Sequence, residues 1–219
     1  MVFFSLLLLL VLVTGVLVVR AYLGQRRSTA VEAIAPQTGL TFLGNGNHLI
    51  PDAVWEFSLF SKGRSRTIGN VLQGQIDDNE LFIFDYQYTT GSRKNSHTHT
   101  FTVALIWLRG IQLPAFSLIP KNFFHRIGCM FGYQDINFDG YPQFSELYLL
   151  RGSDEYGIRS LFNHWLLSFY ARNPATCSEG MGKALLYYHT DGKLNPTNWP
   201  NLLAEAQEVA RLLGKATKG

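Results

Sequence analysis

Cysteine is scarce in this chain, with only Cys129 and Cys177 among 219 residues. Two thiols permit at most one bridge, which excludes the disulfide framework of small secreted domains and suits a reducing compartment with buried free thiols. Charge is missing from one long stretch: no Asp, Glu, Lys or Arg lies between Val2 and Val19. Because no basic residue precedes the apolar run, the segment lacks the opening of a cleavable secretory signal. Catalytic signatures are missing too. There is no glycine-rich phosphate loop, no G-x-G-x-x-G fingerprint, no H-E-x-x-H pair and no G-x-S-x-G nucleophile elbow. No internal repeat or low-complexity stretch appears.

The uncharged stretch itself is informative. Leu6 to Val13 is wholly Leu and Val, and residues 2–19 approach the ~20 apolar residues that cross a bilayer. Arg20, Arg26 and Arg27 follow it, and an excess of basic residues marks the cytoplasmic side of a span. These arginines are expected to anchor the chain to anionic headgroups, with the lipid bilayer as the partner of residues 2–19 and the C-terminal domain in the cytosol. They also account for the net charge of +3, so the rest of the chain is formally neutral. A neutral domain is a poor match for nucleic acid, whose phosphates demand a basic surface. The expected division is a transmembrane anchor with its basic stub over residues 1–27 and one domain over residues 28–219.

Within that domain two alternating segments form the centre. Phe82, Phe84, Tyr86 and Tyr88 recur at every second position while Leu81 and Ile83 face the other way, so both faces of this strand are covered. Phe101, Val103, Leu105 and Trp107 repeat the pattern after a polar loop carrying Arg93 and Lys94. Asp77, Asp78 and Asn79 suit the turn that pairs residues 71–76 with 80–88. Thr29 and Glu32 have the spacing of a capping box and predict a short helix start. Val54 to Phe60 reads as a strand or a short amphipathic piece. The prolines in Leu113 to Pro120 predict an edge strand, Asn122 to Gly128 a helical turn, and Phe144 to Leu150 another strand. Asp154 is placed to cap a helix with Ile158, Leu161, Phe162, Trp165, Leu166 and Phe169 along one stripe. A hairpin about Gly180 to Gly182 and a final helix opened by Asn198 and Pro200 complete the chain. Strands gathered early and helices late predict an α+β fold: an antiparallel sheet with helices on one face, preceded by the N-terminal transmembrane helix.

The runs NVLQG (Asn70 to Gly74), FDYQYTTG (Phe84 to Gly91), THTFTVA (Thr98 to Ala104), LPAFSLIP, DINF (Asp135 to Phe138), PQFSELYLLRGSDE (Pro142 to Glu155) and IRSLF (Ile158 to Phe162) together resemble a family of bacterial single-span membrane-anchored proteins. The resemblance covers most of residues 65–190. It implies a bacterial origin and the same anchored layout, and with the flanking arginines the expected location is the bacterial inner (plasma) membrane. The family has no assigned activity, so no catalytic residue carries over.

The residues offer three constellations. Asp135, Asn137, Asp139, Gly140, Tyr141 and Glu146 occupy positions one, three, five, six, seven and twelve of an EF-hand calcium loop. In such a loop alternate oxygens converge on one ion, a glycine makes the turn and a bidentate carboxylate closes the shell. Against this, Phe144 to Leu150 reads as a strand where an EF-hand needs a helix. His97 and His99 share a face if extended and could reach one metal, but no third ligand is nearby. Cys177, Glu179 and His189 fall on one predicted hairpin as a nucleophile, acid and base, against the plainer reading of a buried thiol, an exposed acid and a surface histidine. Tyr86, Tyr88, Tyr187 and Tyr188 offer ring faces, which usually belong to a core. The leading expectation is a non-catalytic module that binds a protein partner or a membrane-proximal ligand at the inner membrane surface, without a cofactor. The alternatives are a membrane-surface enzyme using His97, His99 and Asp135, and a calcium-binding protein using the loop from Asp135 to Glu146.

Overall fold

One uninterrupted helix, α1 (Val2–Thr38), opens the chain. The computed structural model describes residues 2–123 and 134–216, so Cys129 and most of the helical turn expected at Asn122 to Gly128 lie outside the described residues. No new helix starts at Thr29. Extending a helix already under way needs no fresh nucleus, and Val31, Ile34 and Ala35 gain burial by staying helical. The helix runs through residue 27 without a break. Pro36 is tolerated two residues before the helix ends, and Gly39, at φ 68, turns the chain back.

The strands β1 (Thr41–Gly44), β2 (Arg64–Ile76), β3 (Asn79–Thr90), β4 (His97–Trp107) and β5 (Leu113–Pro120) follow. Then come α2 (Pro142–Leu147), β6 (Tyr148–Gly152), α3 (Glu155–Leu161), α4 (His164–Arg172), β7 (Thr176–Gly182), β8 (Ala184–His189) and α5 (Trp199–Ala216). The eight strands form one antiparallel sheet in the order β1-β2-β3-β4-β8-β7-β5-β6. The fold is α+β. The five helices α1 to α5 pack on the face that carries Leu72, Leu81, Ile83, Ala104 and Leu185. The opposite face carries Phe82, Phe84, Tyr86, Tyr88, Phe101 and Tyr188, and is covered by Ile50, Val54, Phe57, Leu59 and Phe60 from the β1–β2 connection. That connection is built of short 3-10 turns at Asn47–Leu49 and Asp52–Glu56, so the strand reading of Val54 to Phe60 gives way to the amphipathic one.

Three further expectations are corrected. β5 is an internal strand, paired with β6 on one side and β7 on the other. Its prolines are accommodated because Pro114 falls at a register shift between Leu113 and Phe116, and Pro120 closes the strand. Phe144 to Leu147 is helix, started by Pro142 in its first turn, where a missing N–H costs nothing. The single helix expected after Asp154 is two. Asn163 accepts hydrogen bonds from the N–H groups of Trp165 (3.1 Å) and Leu166 (3.2 Å), capping α4 and resetting the helical phase. Trp165 is consequently 65% exposed rather than part of the buried stripe.

Candidate functional site

The first site is the joint between the apolar helix and the domain. Arg27, on α1, forks onto Asp85 of β3, with Nε to Oδ2 at 2.6 Å and a second guanidinium N–H to Oδ1 at 2.7 Å. Asp85 is only 6% exposed. Strand alternation puts it on the helix-bearing face beside Leu81 and Ile83, where a carboxylate without partners would be strongly unfavourable. The structure surrounds it. Thr102 Oγ1 donates to Oδ1 at 3.1 Å, Asn70 Nδ2 donates to Oδ2 at 2.8 Å, and Lys193 Nζ lies 3.9 Å from Oδ2. Ser28 Oγ donates to Asn70 Oδ1 at 2.6 Å, giving α1 a second attachment one residue on. Arg27 also donates to the Leu194 carbonyl at 2.9 Å and its guanidinium lies 5.8 Å from the Trp199 ring centre.

Local backbone makes this joint possible. β2 shifts register between Gly69 and Leu72, and Asn70 sits there at φ 55, a conformation asparagine tolerates. Burial lowers the Lys193 ammonium below its usual range, the neighbouring Arg27 charge adds to that, and Asp85 opposes it. The expectation that Arg27 faces lipid headgroups is corrected: its side chain is mostly buried and committed to Asp85. Arg20 and Arg26 remain exposed on the helix.

The second site is a pocket of about 120 Å³ beside Glu179 on the other face of the sheet. Arg151, Ser117 and Glu179 stand opposite one another across β6, β5 and β7 at its floor. Phe57, Phe116 and Met181 make its walls apolar. Glu179 is 2% exposed, not the surface acid expected. Its Oε2 accepts from Ser58 N at 2.7 Å, and its Oε1 from Leu59 N at 3.1 Å and Tyr188 Oη at 3.2 Å. Burial pushes its pKa up, against those hydrogen bonds and the charge of Lys62. With both oxygens engaged, Glu179 clamps the β1–β2 connection onto the sheet.

The remaining candidates disperse. Cys177 lies opposite Tyr188 and Thr176 opposite His189, so Cys177 and Glu179 point to one face and His189 to the other. His189 Nε2 instead meets Glu205 Oε2 at 2.6 Å. Burial resists the Glu205 charge most strongly as a single effect, but the His189 hydrogen bond and charge and the Tyr187 hydroxyl together hold its pKa below the usual range. His97 is exposed at the end of β4, and His99 stacks on Tyr88 and bonds Thr90 Oγ1 at 2.8 Å. Asp135 is four strands away, a lateral distance of ~19 Å, where its Oδ1 accepts from Leu150 N and its Oδ2 lies 3.4 Å from Lys121 Nζ. Within the calcium spacing, Asn137 Nδ2 turns onto the Asp135 carbonyl, Tyr141 Oη meets His164 Nδ1 at 3.0 Å, and Asp139 and Glu146 face solvent. Among the described residues no three His, Cys, Asp or Glu side chains gather closely enough to hold a metal ion.

The architecture defines a class: an α+β domain on an antiparallel sheet, carried by one N-terminal helix that is long and apolar enough to cross a membrane. No family model and no curated protein matches the chain. Among solved structures, the fold is similar to the crystal structure of the mycobacterial trehalose monomycolate transport factor A, TtfA, with a TM-score of 0.61 and 16% identity over 85% of this chain and 93% of that one. That likeness is one of fold.

Proposed function

We propose that this chain is a non-catalytic interaction module, tethered by α1 to the bacterial inner membrane with its domain on the cytoplasmic side, where it binds a protein partner. The observation that carries this reading is the Arg27–Asp85 joint, a bidentate buried pair that fastens the apolar helix to the domain. A flexible tether only keeps a domain near the bilayer, whereas a locked one presents a chosen surface at a fixed height. The second support is that the buried acids, Asp85 and Glu179, are both occupied in holding the fold together. The fold likeness to a transport factor fits an accessory role at a membrane, and no cargo carries over from it. Tyr156 and Trp165, 84% and 65% exposed on α3 and α4, are the aromatic groups outside α1 best placed for a partner to cover.

The test combines topology with contact. A fluorescent reporter fused after residue 219 is expected to fold and fluoresce in the cytosol, while an alkaline phosphatase fusion stays inactive. A photoreactive residue at Trp165 in the full chain is expected to yield one discrete protein adduct in native membranes, and Tyr156→Ser is expected to weaken it. An active phosphatase fusion overturns the orientation, and absence of any discrete adduct overturns the partner.

A further inference from the structure

We infer that the domain makes a second membrane contact: the basic tip formed by the turns at residues 61–66 and 89–96 sits on the anionic headgroups of the bilayer that α1 crosses. This rests on the tethered reading above, because the tip's height is set by the helix. The direction of the strands follows from two contacts. Ser28 bonds Asn70, and the Gly39 carbonyl lies 3.4 Å from where a Cβ on Gly74 would stand. From Ser28 to Gly39 the helix advances ~16 Å, while β2 advances ~13 Å from Asn70 to Gly74. The two therefore run nearly side by side and in the same sense, so the start of β2 points back toward the membrane. β3 and β4, antiparallel and in register, bring their connecting turn to the same end.

The heights agree. Ser28 lies ~12 Å along the helix below Arg20, the residue that ends the uncharged stretch. From Asn70 back to Arg64 the strand covers at most ~20 Å, shortened by the register shifts between Arg64 and Thr67 and between Gly69 and Leu72. The tip thus reaches the level of Arg20 and Tyr22, where headgroups lie.

Its charge fits that surface. Arg64 donates to the Gly91 carbonyl and so ties the two turns into one body. Arg66 donates to the carbonyls of Ser61 (3.2 Å) and Gly63 (3.2 Å). Both guanidinium groups use backbone oxygens, and among the described residues no carboxylate forms an ion pair with Arg64, Arg66 or Lys94. Lys62 adds charge to the same turn, part of which acts on Glu179. The sequence holds no acidic residue from Ser61 to Ile76 or from Tyr86 to Gln134, whereas the hairpin turn at the far end of β2 and β3 carries Asp77 and Asp78. A basic end held at headgroup height is attracted by anionic lipid within a Debye length, and the acidic end lies beyond it.

The experiment uses the full chain in lipid nanodiscs, with a fluorescent amino acid at Asn95 in the tip or at Asp78 at the far end, and a nitroxide on the lipid headgroup as quencher. α1 holds the tip within a Debye length of the headgroups but leaves the whole body free to tilt, and anionic lipid draws the tip in. Quenching at residue 95 is therefore expected to rise at least about twofold between zwitterionic and ~30% anionic lipid, to fall again in ~0.5 M salt, and to stay low at residue 78 throughout. The charge reversal Arg93→Glu with Lys94→Glu is expected to remove the lipid dependence at residue 95. Equal quenching at the two positions, or quenching at residue 95 that ignores lipid charge and salt, overturns the inference. The salt and lipid series on the otherwise unaltered chain needs no reversal variant to fold. Nanodiscs present the same lipid on both sides and contain no partner protein, so failure here is distinct from failure of the partner or topology assay.

Discussion

Asp85 illustrates how a single side chain couples two parts of a molecule. Replacing it in Asp85→Ala strands the Arg27 guanidinium in a mostly buried position, with the Leu194 carbonyl and the Trp199 ring as remaining partners and the like charge of Lys193 close by. Losing one partner of a buried pair costs ~3–5 kcal/mol, and chemical unfolding of the full chain in detergent micelles is expected to show a loss of that order. The double change Arg27→Met with Asp85→Leu is expected to recover part of it, because the unpaired guanidinium goes with the pair while Asn70, Thr102 and Lys193 still lose their acceptor. No expectation attached to Asp85, although the run FIFDYQY puts it on the face of Leu81 and Ile83, where a buried acid needs a cation. Its partner lies 58 residues away in the chain, and local spacing carries no information about such a pairing.

Glu179 gives a prediction of the opposite kind. Burial raises its pKa in the folded protein, so the folded state holds its proton at pH values where the unfolded chain has released it. The folded state therefore binds more protons above the ordinary carboxylate range, and stability falls as pH rises through the raised pKa. The full chain in micelles is expected to lose unfolding free energy on going upward from pH 5, a slope that Glu179→Gln flattens. Glu179→Ala is expected to be destabilising by ~1–3 kcal/mol at any pH, since Ser58 and Leu59 would keep buried N–H groups without acceptors. Alternation placed Glu179 beside Cys177 on one face, but which face was covered depended on the β1–β2 connection, whose packing the sequence pattern left open.

At the scale of elements, period and punctuation carried far. The two-residue period of β3 and β4, the acidic turn between β2 and β3, the Gly180 to Gly182 hairpin and the apolar stripe of α5 were all readable, because each is a local consequence of how Cβ atoms project. The failures share a cause. Thr29 and Glu32 form a valid cap sequence inside a helix that had no reason to stop, and the prolines of β5 mark a register shift and a strand end rather than an edge. In both cases the deciding interaction lies outside the segment. Asn163 shows the reverse, a residue whose local chemistry overrode a continuous apolar stripe by capping forward. Asn163→Ala is expected to destabilise the protein by ~1 kcal/mol, as cap removals do, and to raise amide hydrogen exchange at Trp165 and Leu166 before the rest of α4.

The proposed role needs the whole molecule to act as one lever, from the apolar end of α1 to the hairpin turn at Asp77 and Asp78. In the proposed membrane setting, the nineteen residue steps from Arg20 to Gly39, just past the end of α1, put the far end of β2 ~28 Å from the headgroup layer. Rigidity comes from three things acting in series: an unbroken helix, the Arg27–Asp85 fork, and the burial of Val31, Ile34 and Ala35 against the sheet. Energy transfer from a fluorescent residue at Asp78 to acceptor-labelled headgroups is expected to report a single narrow distance near ~30 Å. Inserting four Gly and Ser residues after Leu23 leaves the fork and the core intact, so the unfolding free energy of the domain is expected to stay unchanged. The distance distribution should nevertheless broaden, because a short Gly/Ser segment behaves as a flexible coil. Asp85→Ala attacks the same rigidity from the other side and should broaden the distribution while also lowering stability. A distribution already broad in the unaltered chain would mean that the helix and the domain move independently, and the fixed height on which the tip and the partner surface depend would be lost with it.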